Sequence, residues 1–447
     1  MRERPISVDG FRPNAATASP RCEAGQSGRA RRKASRARLV FLVVSSLIIA
    51  GCASTSGSSA TTGVTLPAAT TIAPTSPSTQ AVHYYPVWVD FPAPGQAWGL
   101  FWEQYSAQGC AMAVAQQGSP GVFASPATFG HFACGNYMGV SEVAIDGRGD
   151  VFAYGPELFF SHDGGRTFAR DLQPGAILAV SAVGPSIWML EAHCPANAAQ
   201  AVSMPCPLAL FTSNDGGRTF AQDAHLPRAA VRAGDVSHGP GLRSNWLQRP
   251  SAGVGYVFVP PFFGSQAGAS SPNAESVYRS ADGGVSWTQS SIGGCANAFV
   301  AEGSVNPQGQ VMVICSGQPA AGYQAKSVFV SPSGGTAWQP RFGCMKLGCS
   351  SVNSPLNSGY LGLVAFISPT TAFSGGGRSQ LLVSRDGGVS WHPVPGVASN
   401  GGDTYSGAFF GSVGYIFGDE GSVSQGYIWT TTDAGVSWSR VPVEVVQ

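Results

Sequence analysis

Ser161-His162-Asp163-Gly164-Gly165-Arg166-Thr167-Phe168 is an eight-residue stretch that recurs down the chain. Close copies run from Ser213 to Phe220, Ser280 to Trp287, Ser384 to Trp391 and Thr431 to Trp438. A sixth, Ser331 to Trp338, keeps the frame with Ser333 in place of Asp. The shared form is Ser/Thr-x-Asp-Gly/Ala-Gly-x-Ser/Thr-Phe/Trp. Each copy reads as a tight turn between two strands. Short polar side chains bond to nearby backbone groups and fold the turn on itself. The Gly pair supplies positive φ without steric cost. The closing aromatic is placed to pack between neighbouring sheets. On this reading Asp163, Asp215, Asp282, Asp386 and Asp433 hold turns. A calcium loop would want further oxygen ligands at alternate positions, which Arg166, Arg218 and Val285 do not supply.

From Asp163 the steps are 52, 67, 51, 53 and 47 residues, through Asp215, Asp282, Ser333 and Asp386 to Asp433. A period near 50 with turn and aromatic marks suits four-stranded propeller blades. Weaker marks precede several copies: Val89-Asp90-Phe91 to Trp98, Ser251 to Tyr256, Ala365-Phe366 to Phe373, and Phe409-Phe410 to Tyr415. They read as the inner strand pair of a blade. The segment 83–134 is one blade long but lacks the motif, and is counted as a degenerate first blade. The expected fold is all-β, a seven-bladed propeller over residues 83–447, with six blades as the alternative.

The motif resembles the Asp-box, or bacterial neuraminidase repeat, of sialidases and many other propellers. Sialidases also carry an Arg-Ile-Pro-type motif before the first box and two further Arg that complete a carboxylate clamp. The only Arg between Cys52 and the first copy is Arg148, in Asp146-Gly147-Arg148-Gly149, which reads as a strand turn. Size and blade pattern look closer to the seven-bladed photosystem II assembly factor family and related repeat proteins. That resemblance implies a protein-binding propeller and does not import photosynthesis.

Charge divides the chain. Residues 1–52 carry ten Arg/Lys and three Asp/Glu; the remainder carries fifteen and twenty-one, a net of −6. The expected domain is mildly acidic and offers no electrostatic footprint for nucleic acid. The basic leader precedes an apolar run, Leu39 to Ala50, short for a membrane span and apt for a signal-peptide core. The run ends in Ile49-Ala50-Gly51-Cys52, which resembles the bacterial lipobox, so Cys52 is the expected lipid-anchored residue of an extracytoplasmic protein. An ordinary signal peptide is the alternative. Residues 53–81 are an uncharged Ser/Thr/Ala/Gly/Pro stretch that reads as a flexible tether.

Export makes disulfides the default for the remaining cysteines. Eight allow 105 pairings. Pairing of chain neighbours is expected: Cys110 with Cys134, Cys194 with Cys206, Cys295 with Cys315, and Cys344 with Cys349. The seven His residues are scattered without metal spacing, and neither a cofactor motif nor a Gly-x-Ser-x-Gly elbow occurs. No metal or cofactor is expected, and the chain is expected to be monomeric.

In a propeller the motif turns share a face with the turns joining the two inner strands. The long insertions (193–206, 260–276, 317–325 and 418–426) and the connections 221–244 and 392–405 fall on the opposite face. Loops on a rigid scaffold carry function disproportionately. Candidate contacts there are Arg243, Phe262, Phe263, Tyr323, Asp403 and Tyr405, aromatic anchors mixed with charge. The expected function is non-catalytic binding of a protein or glycan. The alternative is a xyloglucanase-like or sialidase-like glycoside hydrolase, which needs two carboxylates across a cleft. Asp90, Glu142, Asp146, Asp235, Asp403, Asp419 and Glu420 are free of motif duty, and nothing in the sequence selects a pair.

Overall fold

The computed structural model describes residues 82–447 apart from 135–138, 172–174, 195–203, 224–225, 227–228, 233–235, 237–245, 260–275, 296–297, 320, 344–353, 399–400 and 422–424. Seven antiparallel sheets follow one another along the chain. In each, consecutive strands A to D pair in sequence order, from the axis outward. Blade 1 comprises His83–Ala93, Gln96–Gln104, Gly109–Ser119 and Val122–Ala133. Blade 2 is Glu142–Ile145, Val151–Tyr154, Leu158–Ser161 and Ala169–Asp171. Blade 3 is Ala176–Val183, Ser186–Ala192, Pro205–Ser213 and Ala221–Asp223. Inner strands Leu247–Ser251, Val300–Val305, Val364–Phe366 and Thr404–Phe410 begin blades 4 to 7. The protein is a seven-bladed β-propeller, and the segment without the motif is its first blade.

All six motif copies lie at C–D turns, and one hydrogen-bond scheme explains their composition. The first hydroxyl is buried and does two things. Ser161 Oγ donates to Asp163 Oδ1 (2.7 Å) and accepts from the Gly165 amide (2.9 Å). Asp163 Oδ1 also takes the amides of Arg166 and Thr167 (3.0 and 2.9 Å), and Oδ2 takes the Thr167 hydroxyl (2.6 Å). The other Asp copies repeat the hydroxyl contacts at both ends of the turn. These bonds hold the carboxyls of Asp163, Asp215, Asp282, Asp386 and Asp433 below the usual range. At Ser333 a hydroxyl stands in, taking Thr336 Oγ1 at 2.8 Å and the Ala337 amide at 3.2 Å.

The second motif glycine is buried in every copy and has positive φ throughout, 75° at Gly165 and 79° at Gly217. At Gly165, Gly217, Gly388 and Gly435 there is a further reason: a large side chain on strand B of the preceding blade lies against it, whereas at Gly335 the nearest side-chain atoms stand at ordinary contact distance. A Cβ at Gly165 would come within 2.9 Å of the Trp98 ring, and one at Gly217 within 2.7 Å of Phe152. Gly388 meets Met312, and Gly435 meets Phe373, in the same way. The closing aromatic packs backwards too: Phe168 stacks on Phe129 of blade 1 at 4.4 Å, and Trp287 meets Trp188 edge-on at 5.6 Å. Each motif therefore locks its blade to the one before it.

Blade 1 closes the ring by other means. Phe91 stacks on Tyr415 of blade 7 at 5.2 Å, and the Tyr415 hydroxyl accepts the Gly95 amide at 2.8 Å. The C-terminal strand Glu444–Val446 pairs in parallel with Val122–Ala124 on the outer strand of blade 1, making a fifth strand there. Around the axis, polar side chains of inner strands reach across to the next blade. Asp90 Oδ2 accepts the Ile145 amide (3.2 Å), Gln248 Oε1 the Val305 amide (2.8 Å) and Ser304 Oγ the Phe366 amide (2.9 Å), while Ser406 Oγ donates to the Val89 carbonyl (2.6 Å).

Candidate functional site

Strands B end, and strands C begin, on the face opposite the motif turns. The disulfides gather there. Cys110–Cys134, Cys194–Cys206 and Cys295–Cys315 are formed, with Cα separations of 5.1, 4.3 and 5.7 Å. The first two stay within one blade. The third joins the turn leaving blade 4 to strand B of blade 5, so it ties two blades. Cys344 and Cys349 lie outside the described residues, as do Cys52, Arg243, Phe262, Phe263 and Asp235.

The three candidate contacts that are described come together. Tyr323 forms a β-bridge with Ser358. Beside it the Gly322 amide donates to the Tyr360 hydroxyl at 3.3 Å. The Arg378 guanidinium lies over the Tyr360 ring, 5.8 Å from its centroid, and the Arg378 amide donates to Asp403 Oδ1 at 2.6 Å. The Asp403 amide donates to Asp419 Oδ1 (3.2 Å), and the Tyr405 hydroxyl donates to Asp419 Oδ2. One network thus crosses blades 5, 6 and 7. Tyr360 and Arg378 are members that sequence reasoning missed. The Gly375-Gly376-Gly377-Arg378 run was the available signal: a Gly-rich turn with an Arg at its tip. Tyr405 is in strand A rather than in a loop, and its ring meets Phe417 at 5.6 Å.

Asp403 and Asp419 are neighbours, which a hydrolase reading would notice. Burial first, and the Asp419 charge after it, raise the Asp403 carboxyl above its ordinary value. Both residues are nonetheless occupied with backbone amides, Asp403 with Arg378 and Asp419 with Asp403 and Gly421 (2.7 Å). Such carboxylates brace loops. Asp146 caps the A–B turn of blade 2 through the amides of Arg148 and Asp150, both at 2.8 Å, and Glu420 pairs with Arg440.

A buried amine supports the network from below. Lys326 Nζ is directed at the carbonyls of Gly359 (3.1 Å), Ser358 (3.4 Å) and Gln324 (3.4 Å). Burial pushes it down to about 7. It holds the segment carrying Tyr360 against blade 5.

The axis provides the second candidate place. Inner strands enclose a cavity of about 180 Å³, with Trp88, Asp90, Glu142, Tyr154, Trp246 and Tyr405 in its walls. A wider recess of about 580 Å³ is lined by the far ends of those strands, including Arg249 and Pro250, and by Gly147 and Gly184 of the A–B turns, so it opens on the motif face. Asp90, Phe91, Ala144, Val180, Leu247 and Ala408 line both. Burial, more than the nearby Glu142 charge, pushes the Asp90 carboxyl up to about 7, against the pull of two backbone bonds. The Tyr154 hydroxyl donates to Glu142 Oε2 at 2.8 Å.

No family model matches the chain, and no curated protein matches it. Among solved structures, YCF48 from Cyanidioschyzon merolae is similar over 80% of this chain and 98% of its own, at 16% identity and TM-score 0.46. The β-propeller domain of the Trilobed protease from Pyrococcus furiosus is similar over 80% and 97%, at 6% identity and TM-score 0.43. The GH74 xyloglucanase from Xanthomonas campestris is similar over 80% of each chain, at 13% identity and TM-score 0.36. At these identities the likeness extends to the propeller fold and to nothing finer.

Proposed function

We propose that the chain is an exported, lipid-anchored, non-catalytic propeller that holds a protein or glycan partner on the face opposite its motif turns. The observation that carries this reading is the Tyr323–Tyr360–Arg378–Asp403–Tyr405 network. It combines aromatic rings with an exposed guanidinium, the side chains that dominate binding hot spots. Backbone strain concentrates beside it. Five described non-glycine residues have left-handed φ, and three of them, Ala321 (47°), Arg378 (57°) and Ala398 (48°), lie in loops of this face in blades 5 to 7. Such conformations cost of order 1 kcal/mol or more each and gather at ligand sites. Because Asp403 and Asp419 are committed to backbone amides, the patch suits holding a partner better than protonating a glycosidic oxygen. Anchoring through Cys52 rests on the apolar run and the small residues before it. Two acyl chains suffice for stable attachment where one is marginal.

Partner capture by the full chain, extracted from membranes, tests both parts. Arg378→Gly removes the guanidinium and suits the left-handed φ, so stability should hold or rise while capture falls about 5–30-fold, the scale of a 1–2 kcal/mol contact. Unchanged capture would remove the patch from consideration. Cys52→Ala should release the domain or stall its processing. If that variant remains in the membrane fraction at its normal mature mass, the anchor lies elsewhere.

A further inference from the structure

The sixth motif copy departs from the pattern at a place that neither candidate site uses. Where five turns carry Asp, blade 5 carries the uncharged Ser333. Ser333 lines an open recess of about 480 Å³ on the motif face, between blades 4 and 5. Tyr256 on strand B and Arg279 on strand C of blade 4 form one side, and Pro250, Pro307 and Pro332 give it an apolar rim. Arg279 Nε donates to the hydroxyl of the buried Tyr256 at 3.3 Å, which fixes one edge of the guanidinium. The N–H donors on its two terminal nitrogens have no partner among the described residues, and no ion pair forms there. A Cβ at Gly334 would stand 3.2 Å from the Tyr256 hydroxyl and 3.4 Å from Arg279 Nε, so the turn carrying Ser333 lies directly against this pair. No Asp or Glu is among the described residues that line the recess.

We propose that this recess binds the carboxylate of a small organic acid, with the terminal nitrogens of Arg279 as a fork and the Tyr256 hydroxyl as a further donor. The hydroxyl accepts Arg279 Nε and so keeps its own hydrogen to give. The planar guanidinium matches a carboxylate through paired N–H bonds. One positive charge balances one negative charge, whereas a phosphate dianion would stay half uncompensated. The proline rings suit an apolar body behind the acid group. A volume of about 480 Å³ corresponds to roughly sixteen waters at ~30 Å³ each, so one small ligand fills the recess. At the other motif turns an Asp would repel the same acid, which confines the site to blades 4 and 5. The recess lies on the face opposite the loop network, and its success or failure is independent of partner capture by the loops.

The purified full chain is titrated with sodium benzoate and, separately, with benzyl alcohol, its uncharged analogue, at constant ionic strength. Saturation-transfer NMR follows the ring protons of the ligand. The expected result is a saturable signal with benzoate alone. Half-saturation should weaken about tenfold in Arg279→Gln, as expected when charge-assisted hydrogen bonds are lost. It should weaken about 3–10-fold in Ser333→Asp, which adds a negative charge to the wall and completes the turn as the five Asp copies do. Absence of saturation overturns the proposal. So does equal binding of benzyl alcohol, displacement of benzoate by sodium phosphate at a lower concentration, or unchanged affinity in either variant. Should Arg279→Gln fail to fold, Ser333→Asp decides alone.

Discussion

The two faces of this propeller are held by different chemistry. On the motif face, six C–D turns repeat one local scheme in which Ser or Thr, Asp (or Ser333) and glycine satisfy each other within eight residues. On the opposite face, among the described residues, the connections share no such scheme. Three disulfides, a buried lysine and side chain to backbone bonds across 16 to 25 residues do the holding. The difference teaches where variation is tolerated. A turn pressed against strand B of the preceding blade, as at Gly165, Gly217, Gly388 and Gly435, has few solutions. A connection stapled at its base is free to change length, and that freedom lets one side of the ring acquire a binding surface.

The largest expected effect comes from removing a staple. Cys295 and Cys315 are fully buried and close a 20-residue separation. Replacing both with Ala should cost about 3 kcal/mol by the loop-closure argument. Urea unfolding measures the loss. Hydrogen exchange should localise it, with amides of 311–331 exchanging faster and the motif amides Thr167 and Thr219 unchanged. Equal loosening of both faces would show that they are not held independently.

The same contrast governs what the sequence reveals. The motif turns are legible because their partners lie within four residues, and a repeated local pattern needs no knowledge of the fold. The described disulfides were legible for a similar reason, being neighbours in the chain. The loop-face network was only half visible. Tyr323, Asp403 and Tyr405 could be named from loop position, but Arg378 meets Asp403 only because blades 6 and 7 are adjacent. Lys326 looks like any surface lysine in sequence, and two of its three carbonyl partners are over 30 residues away. The C-terminal strand pairs with Val122–Ala124, a closure that no local pattern encodes. Asp90 read as an unassigned carboxylate, because bridging to the next inner strand is a property of the ring.

Asp90 yields the next effect, with a sign opposite to that of the motif carboxylates. Burial pushes its folded-state carboxyl up to about 7, well above the ordinary carboxylate range. The folded protein keeps a proton that the unfolded chain releases, so stability falls as pH rises from about 4 to about 7 and then levels. Asp90→Asn keeps the acceptor for Ile145 and removes the charge. It should stabilise the protein at pH 8 and change little at pH 4. Asp90 is only part-buried, so solvent screens the effect and the gain is about 1–2 kcal/mol. A variant less stable than wild type at pH 8 would mean that the ionised carboxylate is itself a tie between blades 1 and 2.

The smallest effect tests whether the motif face is built of equivalent turns. Asp215 takes the Ser213 hydroxyl, two amides and the Thr219 hydroxyl, and Asp215→Ala leaves all four without that partner, three of them at a solvent-facing turn and the buried Ser213 hydroxyl still bonded to the Gly217 amide. Water replaces much of what is lost, so a drop of only a few degrees in Tm is expected. Ser333→Asp should do the reverse, because blade 5 already has the buried Ser331 hydroxyl on the Gly335 amide and Thr336 beside position 333. The pH dependence separates this from a packing effect. A carboxyl lowered by the turn contributes above the unfolded value near 4 and loses its contribution as pH falls through its own lower value. The Ser333→Asp gain should therefore be complete at pH 7 and shrink steadily as pH falls below about 4, in the same range where the difference between Asp215→Ala and wild type narrows. A gain that does not change between pH 7 and pH 2 would show that the new side chain acts by filling space. The six turns would then share a shape without sharing the electrostatics that the five Asp copies display.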